Sequence, residues 1–157
     1  ITISRNKWKH HAEIQTDLEP QLPLVQGSQN DINQILLTLI VNASQAIEEV
    51  LEKDSDERGV IRLTTRMRDG MVEIQVTDSG SGIPDEIKDR IFDPFFTTRE
   101  VGCGSGQGLA LARRIIVEKY RGNIYFDSRV GEGTTFVIQI PLNGNGGPYE
   151  KTDSLCG

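Results

Sequence analysis

The sequence predicts an α+β fold, with helices stacked on one face of a mostly antiparallel sheet. Three observations carry this. Two pairs of alternating segments each flank glycine-containing turns. One long stretch repeats its apolar residues at helical spacing. A second amphipathic helix follows a run of glycines.

The elements follow in chain order. Trp8 to Thr16 (WKHHAEIQT) reads as a strand, and Pro20 and Pro23 break the chain after it. Ser28, three residues before Asp31, gives a capping-box-like helix start. From Ile32, apolar residues recur as Ile35, Leu36, Leu39, Ile40, Ala43, Ala46, Ile47 and Val50, which draws one buried helical face. Lys53 to Gly59 is a charged loop. Val60 to Met67 and Met71 to Thr77 alternate around Asp69-Gly70, a strong hairpin signal. Asp78 to Gly108 is irregular, with short helical possibilities only, and so long a loop in a compact domain is usually functional. Gly108 to Tyr120 reads as a second long helix with Leu109, Ala112, Ile115 and Ile116 on one side. Asn123 to Phe126 and Thr135 to Ile140 form a second hairpin around Gly131-Glu132-Gly133. Residues 1–142 therefore read as one domain, and 143–157, rich in Gly and Asn, as a flexible tail.

Composition bounds the function. The 157 residues suffice for one core, and 36% apolar with 25% charged residues is ordinary for a globular protein. No apolar run approaches the ~20 residues that span a bilayer, so no membrane contact is expected of this chain. Ile1 is not an initiator, which points to a fragment or processed chain whose parent could carry a membrane segment elsewhere. A net charge of −6 argues against broad nucleic-acid binding, which needs clustered Lys and Arg. Cys103 and Cys156 lie far apart in glycine-rich surroundings and read as free thiols in a reducing cytoplasm.

Four segments carry chemistry. On the first helix, Gln34, Thr38, Asn42 and Gln45 share a polar stripe, with Asn42 at its border with the apolar face. An amide there can reach into a pocket while its helix stays packed; an ordinary half-exposed Asn is the alternative. Next, Asp78-Ser79-Gly80-Ser81-Gly82-Ile83-Pro84 follows a strand directly. Its glycines let the backbone turn sharply against a flat ligand, and the carboxylate suits an exocyclic amine such as that of adenine. Calcium would need further spaced acidic ligands. Val101 to Gly108 then places four glycines in seven residues before a helix N-terminus, a ready phosphate site. It is neither a Walker loop, lacking Lys-Ser or Lys-Thr, nor a dinucleotide fingerprint. Finally, Phe92, Phe95 and Phe96 within Ile91–Arg99 form a hydrophobic plug at the hinge of a lid, with Arg99 either facing phosphate or solvated.

In this order and spacing the segments resemble the N, G1, F and G2 boxes of sensor histidine kinases, and Gly131-Glu132-Gly133-Thr134-Thr135-Phe136 resembles their terminal GxGTxF box. The resemblance runs from about Ile14 to Leu142. Wider relatives are the Bergerat-fold ATPases of gyrase, mismatch-repair and heat-shock chaperone type. The resemblance implies a two-layer α/β sandwich: a mixed sheet of about five strands, about three helices on one face, and a flexible ATP lid. ATP and Mg²⁺ are the implied cofactors. Asn42 would coordinate Mg²⁺. Asp78 would read the adenine amino group, helped by Thr134 through a water. Gly80, Gly82 and Ile83 would lie against the base. Gly104, Ser105, Gly106, Gln107, Gly108 and Leu109 would shape the lid and the phosphate-facing helix start, and Arg99 would act on the phosphates.

Thr38 departs from the pattern. Histidine kinases usually carry a second Asn there, and gyrase-like relatives a glutamate that activates water. Thr is a poor general base, which disfavours strong hydrolysis and favours a kinase whose acceptor imidazole is itself the nucleophile. The family's acceptor His is followed by an acidic residue on a dimerising helical hairpin. His10 and His11, the two histidines present, lie in an expected strand without that pattern. The implied activity is therefore transfer of the ATP γ-phosphoryl to a histidine on a separate dimerisation domain, and onward to a response regulator. Rivals are a nucleotide-sensing module without catalysis and a serine kinase sharing the fold.

Overall fold

The computed structural model describes residues 12–51, 57–98 and 106–142. His10, His11, Arg99, Cys103, Gly104, Ser105, Cys156 and the expected tail 143–157 lie outside the described residues.

The order is β1 (Ala12–Leu18), α1 (Gln29–Glu48), β2 (Gly59–Arg68), β3 (Met71–Asp78), a 3₁₀ helix (Asp85–Arg90), α2 (Gly108–Arg114) running into a π-helical turn (Ile115–Lys119), β4 (Asn123–Arg129) and β5 (Gly133–Pro141). The five strands form one sheet in the order β1-β2-β3-β5-β4. β1 pairs β2 in parallel, and the other pairs are antiparallel. The expected mixed, mostly antiparallel sheet is thus present. Asp69 and Gly70 both take positive φ, 51° and 75°, which gives the tight β2–β3 turn a twist that matches its strands.

One face of the sheet meets the helices. Ile35, Leu36, Leu39, Ile40, Ala43 and Ile47 of α1 pack with alternate strand residues: Ile61 and Leu63; Val72, Ile74 and Val76; Phe136, Ile138 and Ile140. Full burial of one such side chain contributes roughly 1.5–3 kcal/mol. On the opposite face Glu73 is nonetheless 3% exposed. Gln75 and Gln139 satisfy it, each donating a side-chain N–H to one carboxylate oxygen at 2.7 and 3.0 Å.

Several local expectations are corrected. Ser28 is the N-cap of α1, but its side chain makes no capping bond. Asp31 instead pairs with Lys119 at 2.5 Å and accepts from the Tyr120 hydroxyl at 3.1 Å, so the expected capping box is replaced by a tie to the end of the π-helical turn that follows α2. Val50 lies beyond the end of α1 and is exposed. The second helix is not one α-helix to Tyr120. Ile115, Ile116 and Val117 crowd the preceding turn with β-branched side chains, and the backbone widens there into a π turn. Gly122 N–H then closes on the Ile116 carbonyl at 2.9 Å, behind Arg121 with φ 54°. The second hairpin is longer than read, because its alternation continues through Ser128 and Thr134.

Candidate functional site

The apolar alternation of three strands ends in polar residues at one end of the sheet. The inward series Val72, Ile74, Val76 finishes at Asp78; Ile124 and Phe126 finish at Ser128; Ile140, Ile138 and Phe136 finish at Thr134. Asp78 and Ser128 each pair with Thr134 in register. Above them lies a cavity of about 660 Å³, a size that suits a small-molecule ligand. Val41, Ile83, Ile87, Ile91, Phe96 and Leu109 give it apolar walls, while Thr38, Asn42 and Gln45 line it from α1.

Asp78 is 6% exposed. Burial pushes its carboxyl up to about 6, against the backbone N–H groups of Gly80 and Thr134, which favour the charged form. The Gly80 bond is 2.8 Å. A buried carboxylate with lone pairs left over, aimed into an apolar cavity, marks a site that expects a hydrogen-bond donor.

The glycine turn after β3 is fixed on two sides. A Cβ on Gly80 would stand 2.6 Å from the Ala46 backbone, and Ser81 N–H donates to the Ala46 carbonyl at 2.9 Å. Gly80 therefore packs beneath α1 and does not line the cavity. Gly82 has φ 74°, and a Cβ there would fall 2.1 Å from the Arg129 carbonyl, so the turn requires glycine. Gly82 and Ile83 do line the cavity.

At the other end, Gly106, Gly108 and Leu109 line the cavity, whereas Gln107, the N-cap of α2, does not. The Gly106 carbonyl accepts from Phe95 N–H at 2.9 Å. A Cβ on Gly108 would meet the Thr38 methyl at 2.8 Å, so Thr38 turns its methyl toward the first turn of α2. The aromatic plug divides. Phe92 packs with Phe126 and Phe136 at centroid distances of 6.0 and 6.4 Å, and Phe96 lines the cavity beneath the Arg90 guanidinium. Phe95 is 72% exposed, which corrects the expectation that all three pack.

Of the residues read from the sequence, one cavity gathers Thr38, Asn42, Asp78, Gly82, Ile83, Gly106, Gly108, Leu109 and Thr134. Among the described residues no three His, Cys, Asp or Glu side chains cluster as metal ligands, and Asn42 brings a neutral amide oxygen to the cavity wall. No helix among the described residues is long and apolar enough to cross a membrane. The sequence reading missed Ser128 and Lys88. Ser128 Oγ accepts from Ile83 N–H at 2.8 Å, and Lys88 donates to the Ser128 carbonyl at 2.7 Å. A polar residue at an inward position of the β4 alternation was the available signal for Ser128.

Known sensor histidine kinases resemble this chain in sequence and in fold. Over 141 residues the chain is 36% identical to sensor histidine kinase ZraS of Escherichia coli K12, covering 90% of this chain and 28% of that protein. The catalytic domain of histidine kinase ThkA superposes with a TM-score of 0.69 at 31% identity, covering 85% of this chain and 82% of that one. ThkA in complex with response regulator protein TrrA matches with a TM-score of 0.66 at 28% identity, over 88% of this chain and 36% of that one. Full-length ShkA in complex with AMPPNP matches with a TM-score of 0.69 at 27% identity, over 85% and 26%. The chain thus spans about a quarter of the length of ZraS. The family model for histidine kinase-, DNA gyrase B- and HSP90-like ATPases matches residues 27–144, and the chain belongs to that family.

Proposed function

We propose that this chain is the ATP-binding catalytic domain of a two-component sensor histidine kinase, transferring the γ-phosphoryl of Mg-ATP to a histidine on a separate dimerisation domain. The observation that carries this is the single cavity whose walls hold both Asp78, at a strand end, and Asn42, on the neighbouring helix. An adenine amino group would donate to Asp78, directly and through a water shared with Thr134. The apolar walls and the turn at Gly82 and Ile83 would hold the base. The triphosphate would run toward Asn42 and the start of α2 at Gly106 and Gly108.

Asn42 supplies one neutral oxygen, which fits Mg²⁺ because that ion completes its octahedron with phosphate oxygens and water. When bound, the ion would neutralise charge on the phosphates. Catalysis is then chiefly positioning and charge stabilisation, as phosphoryl transfer requires. The acceptor imidazole attacks the γ-phosphorus, the bond to the β-bridging oxygen breaks, and ADP leaves. Thr38, methyl toward Gly108, offers no general base for water. Onward transfer to a response regulator aspartate is supported by the ThkA–TrrA likeness. Arg99, Gly104 and Ser105 would complete the lid around the phosphates.

The test supplies the chain with Mg-ATP and a dimerisation domain carrying the acceptor histidine. Acid-labile phosphoryl transfer is expected with wild type and lost with Asn42→Ala. Tight nucleotide binding without any transfer would favour the nucleotide-sensing reading, and acid-stable product would favour a serine kinase.

A further inference from the structure

Ser128 is 4% exposed at the inward end of β4, and its hydroxyl has three partners. Ile83 N–H donates to it at 2.8 Å, it donates to the Gly133 carbonyl at 3.1 Å, and it shares a proton with Thr134 Oγ1 at 2.8 Å. A serine hydroxyl has one proton and two lone pairs. The Gly133 carbonyl can only accept and the Ile83 amide can only donate. All three contacts are therefore satisfied together in one arrangement alone: Thr134 gives its proton to Ser128. In a buried network, an arrangement that leaves a partner unmade is costly.

We propose that Ser128 is a specificity-determining residue: it draws the Thr134 proton away from the cavity, so that the floor presents acceptors alone. Thr134 Oγ1 then shows lone pairs beside the Asp78 carboxylate, and Thr134 and Asp78 line the same cavity. Such a floor matches a base edge that donates, as the 6-amino group of adenine does directly or through one water. It opposes the 6-oxo group of hypoxanthine or guanine, which would set acceptor against acceptor. Ser128 itself is not on the cavity wall. It acts through Thr134, and through Ile83, whose amide it anchors at the base-facing turn. Lys88 holds the same strand end by its bond to the Ser128 carbonyl and its pairing with Asp85 at 2.6 Å.

This inference rests on the nucleotide-binding reading above, and its test separates the two. Affinities of the whole chain for non-hydrolysable ATP and ITP analogues, which differ at the 6-position edge, are compared with Mg²⁺ present. Wild type is expected to prefer the ATP analogue. Ser128→Ala frees the Thr134 proton to donate into the cavity, so the ATP:ITP ratio should fall by about tenfold, the scale of one lost polar match. In a Thr134→Val background, Ser128→Ala should leave the ratio where Thr134→Val alone puts it, because no proton remains to redirect. A Ser128→Ala chain that weakens both analogues equally, or that shifts the ratio just as much without the Thr134 hydroxyl, overturns the proposal and reduces Ser128 to packing. Failure of wild type to bind either analogue sinks the nucleotide reading, and this inference with it. If Ser128→Ala does not fold, Ser128→Cys reads the same ratio, since its thiol fills the space but hydrogen-bonds weakly.

Discussion

Asp78 carries its charge where charge is costly. Its carboxyl is raised from an ordinary 3.8 to about 6 by burial. Between those two values the folded chain keeps a proton that the unfolded chain has released. Stability therefore falls as pH rises through that window and levels off above about 6. Asp78→Asn should flatten this slope in thermal melts recorded from pH 4 to 7. A bound adenine amine wants the ionised acceptor, so nucleotide affinity should run the other way, weakening as pH drops below about 6. Asp78→Asn should lose most binding at pH 7.5; calorimetric titration that found the variant within twofold of wild type would remove Asp78 from the site. Gly82→Ala is a second residue-scale case. A side chain there meets the Arg129 carbonyl at φ 74°, so folding stability should drop by about 1–3 kcal/mol or more, read by urea unfolding. Both positions were legible in the sequence only because the strand-ending acid and its spaced glycines stood in order with the other segments; alone, the same pattern also suits a plain turn. Ser128 was not, since one hydroxyl in a strand shows its worth only when its three partners converge.

The element most altered from expectation is the second helix. Its inward residues Ala112, Ile116 and Tyr120 are all buried. The π turn adds backbone between the last two and delivers the Tyr120 hydroxyl to the start of α1. There it accepts from Ser28 N–H at 2.8 Å and reaches Asp31 at 3.1 Å. Lys119 holds the Asp31 carboxyl below its usual range, and burial pushes the Tyr120 phenol up. Tyr120→Phe would leave the Ser28 amide without this partner. A loss of about 1–3 kcal/mol in denaturant unfolding is expected, with the ring's packing retained. An unchanged midpoint would mean that water replaces the phenol at no cost. Periodicity showed the helix but not the turn, because α and π segments draw nearly the same apolar stripe over so few residues. The N-cap Ser28 was legible, yet its partner was not: local pattern suggested Asp31 three residues on, and the tertiary tie to Lys119 and Tyr120 won.

At the scale of the molecule, the two hairpins and the helical layer followed from alternation and helical spacing, because those patterns report burial directly, whereas the strand order β1-β2-β3-β5-β4 came only with the structure. The membership of the site followed from four weak segments taken together, since no single one fixes a cavity. What sequence could not supply is which residues stand at the wall and which do not: Gly80 packs beneath α1, and Gln107 occupies the N-cap position of α2 without lining the cavity. The whole chain offers a site for ATP and, in the proposed reading, no acceptor of its own. Incubation with labelled Mg-ATP alone should therefore give no stable phosphohistidine on His10 or His11 and little steady turnover. Label on either histidine would assign the acceptor to this chain and contradict the separation of the two halves.

The parallel pairing of β1 with β2 has a consequence for how the molecule assembles. Each antiparallel neighbour pair within a hairpin closes through a short local turn, but β1 can join its neighbour only after the intervening helix has crossed the sheet. β1 also stands at one rim of the sheet, where among the described residues it is hydrogen-bonded to β2 alone. Held on one side and with no local turn to return it to its neighbour, β1 should open ahead of the central strands. In native-state hydrogen exchange, amides of Ala12–Leu18 should trade with solvent well ahead of those in β3, which is held on both sides.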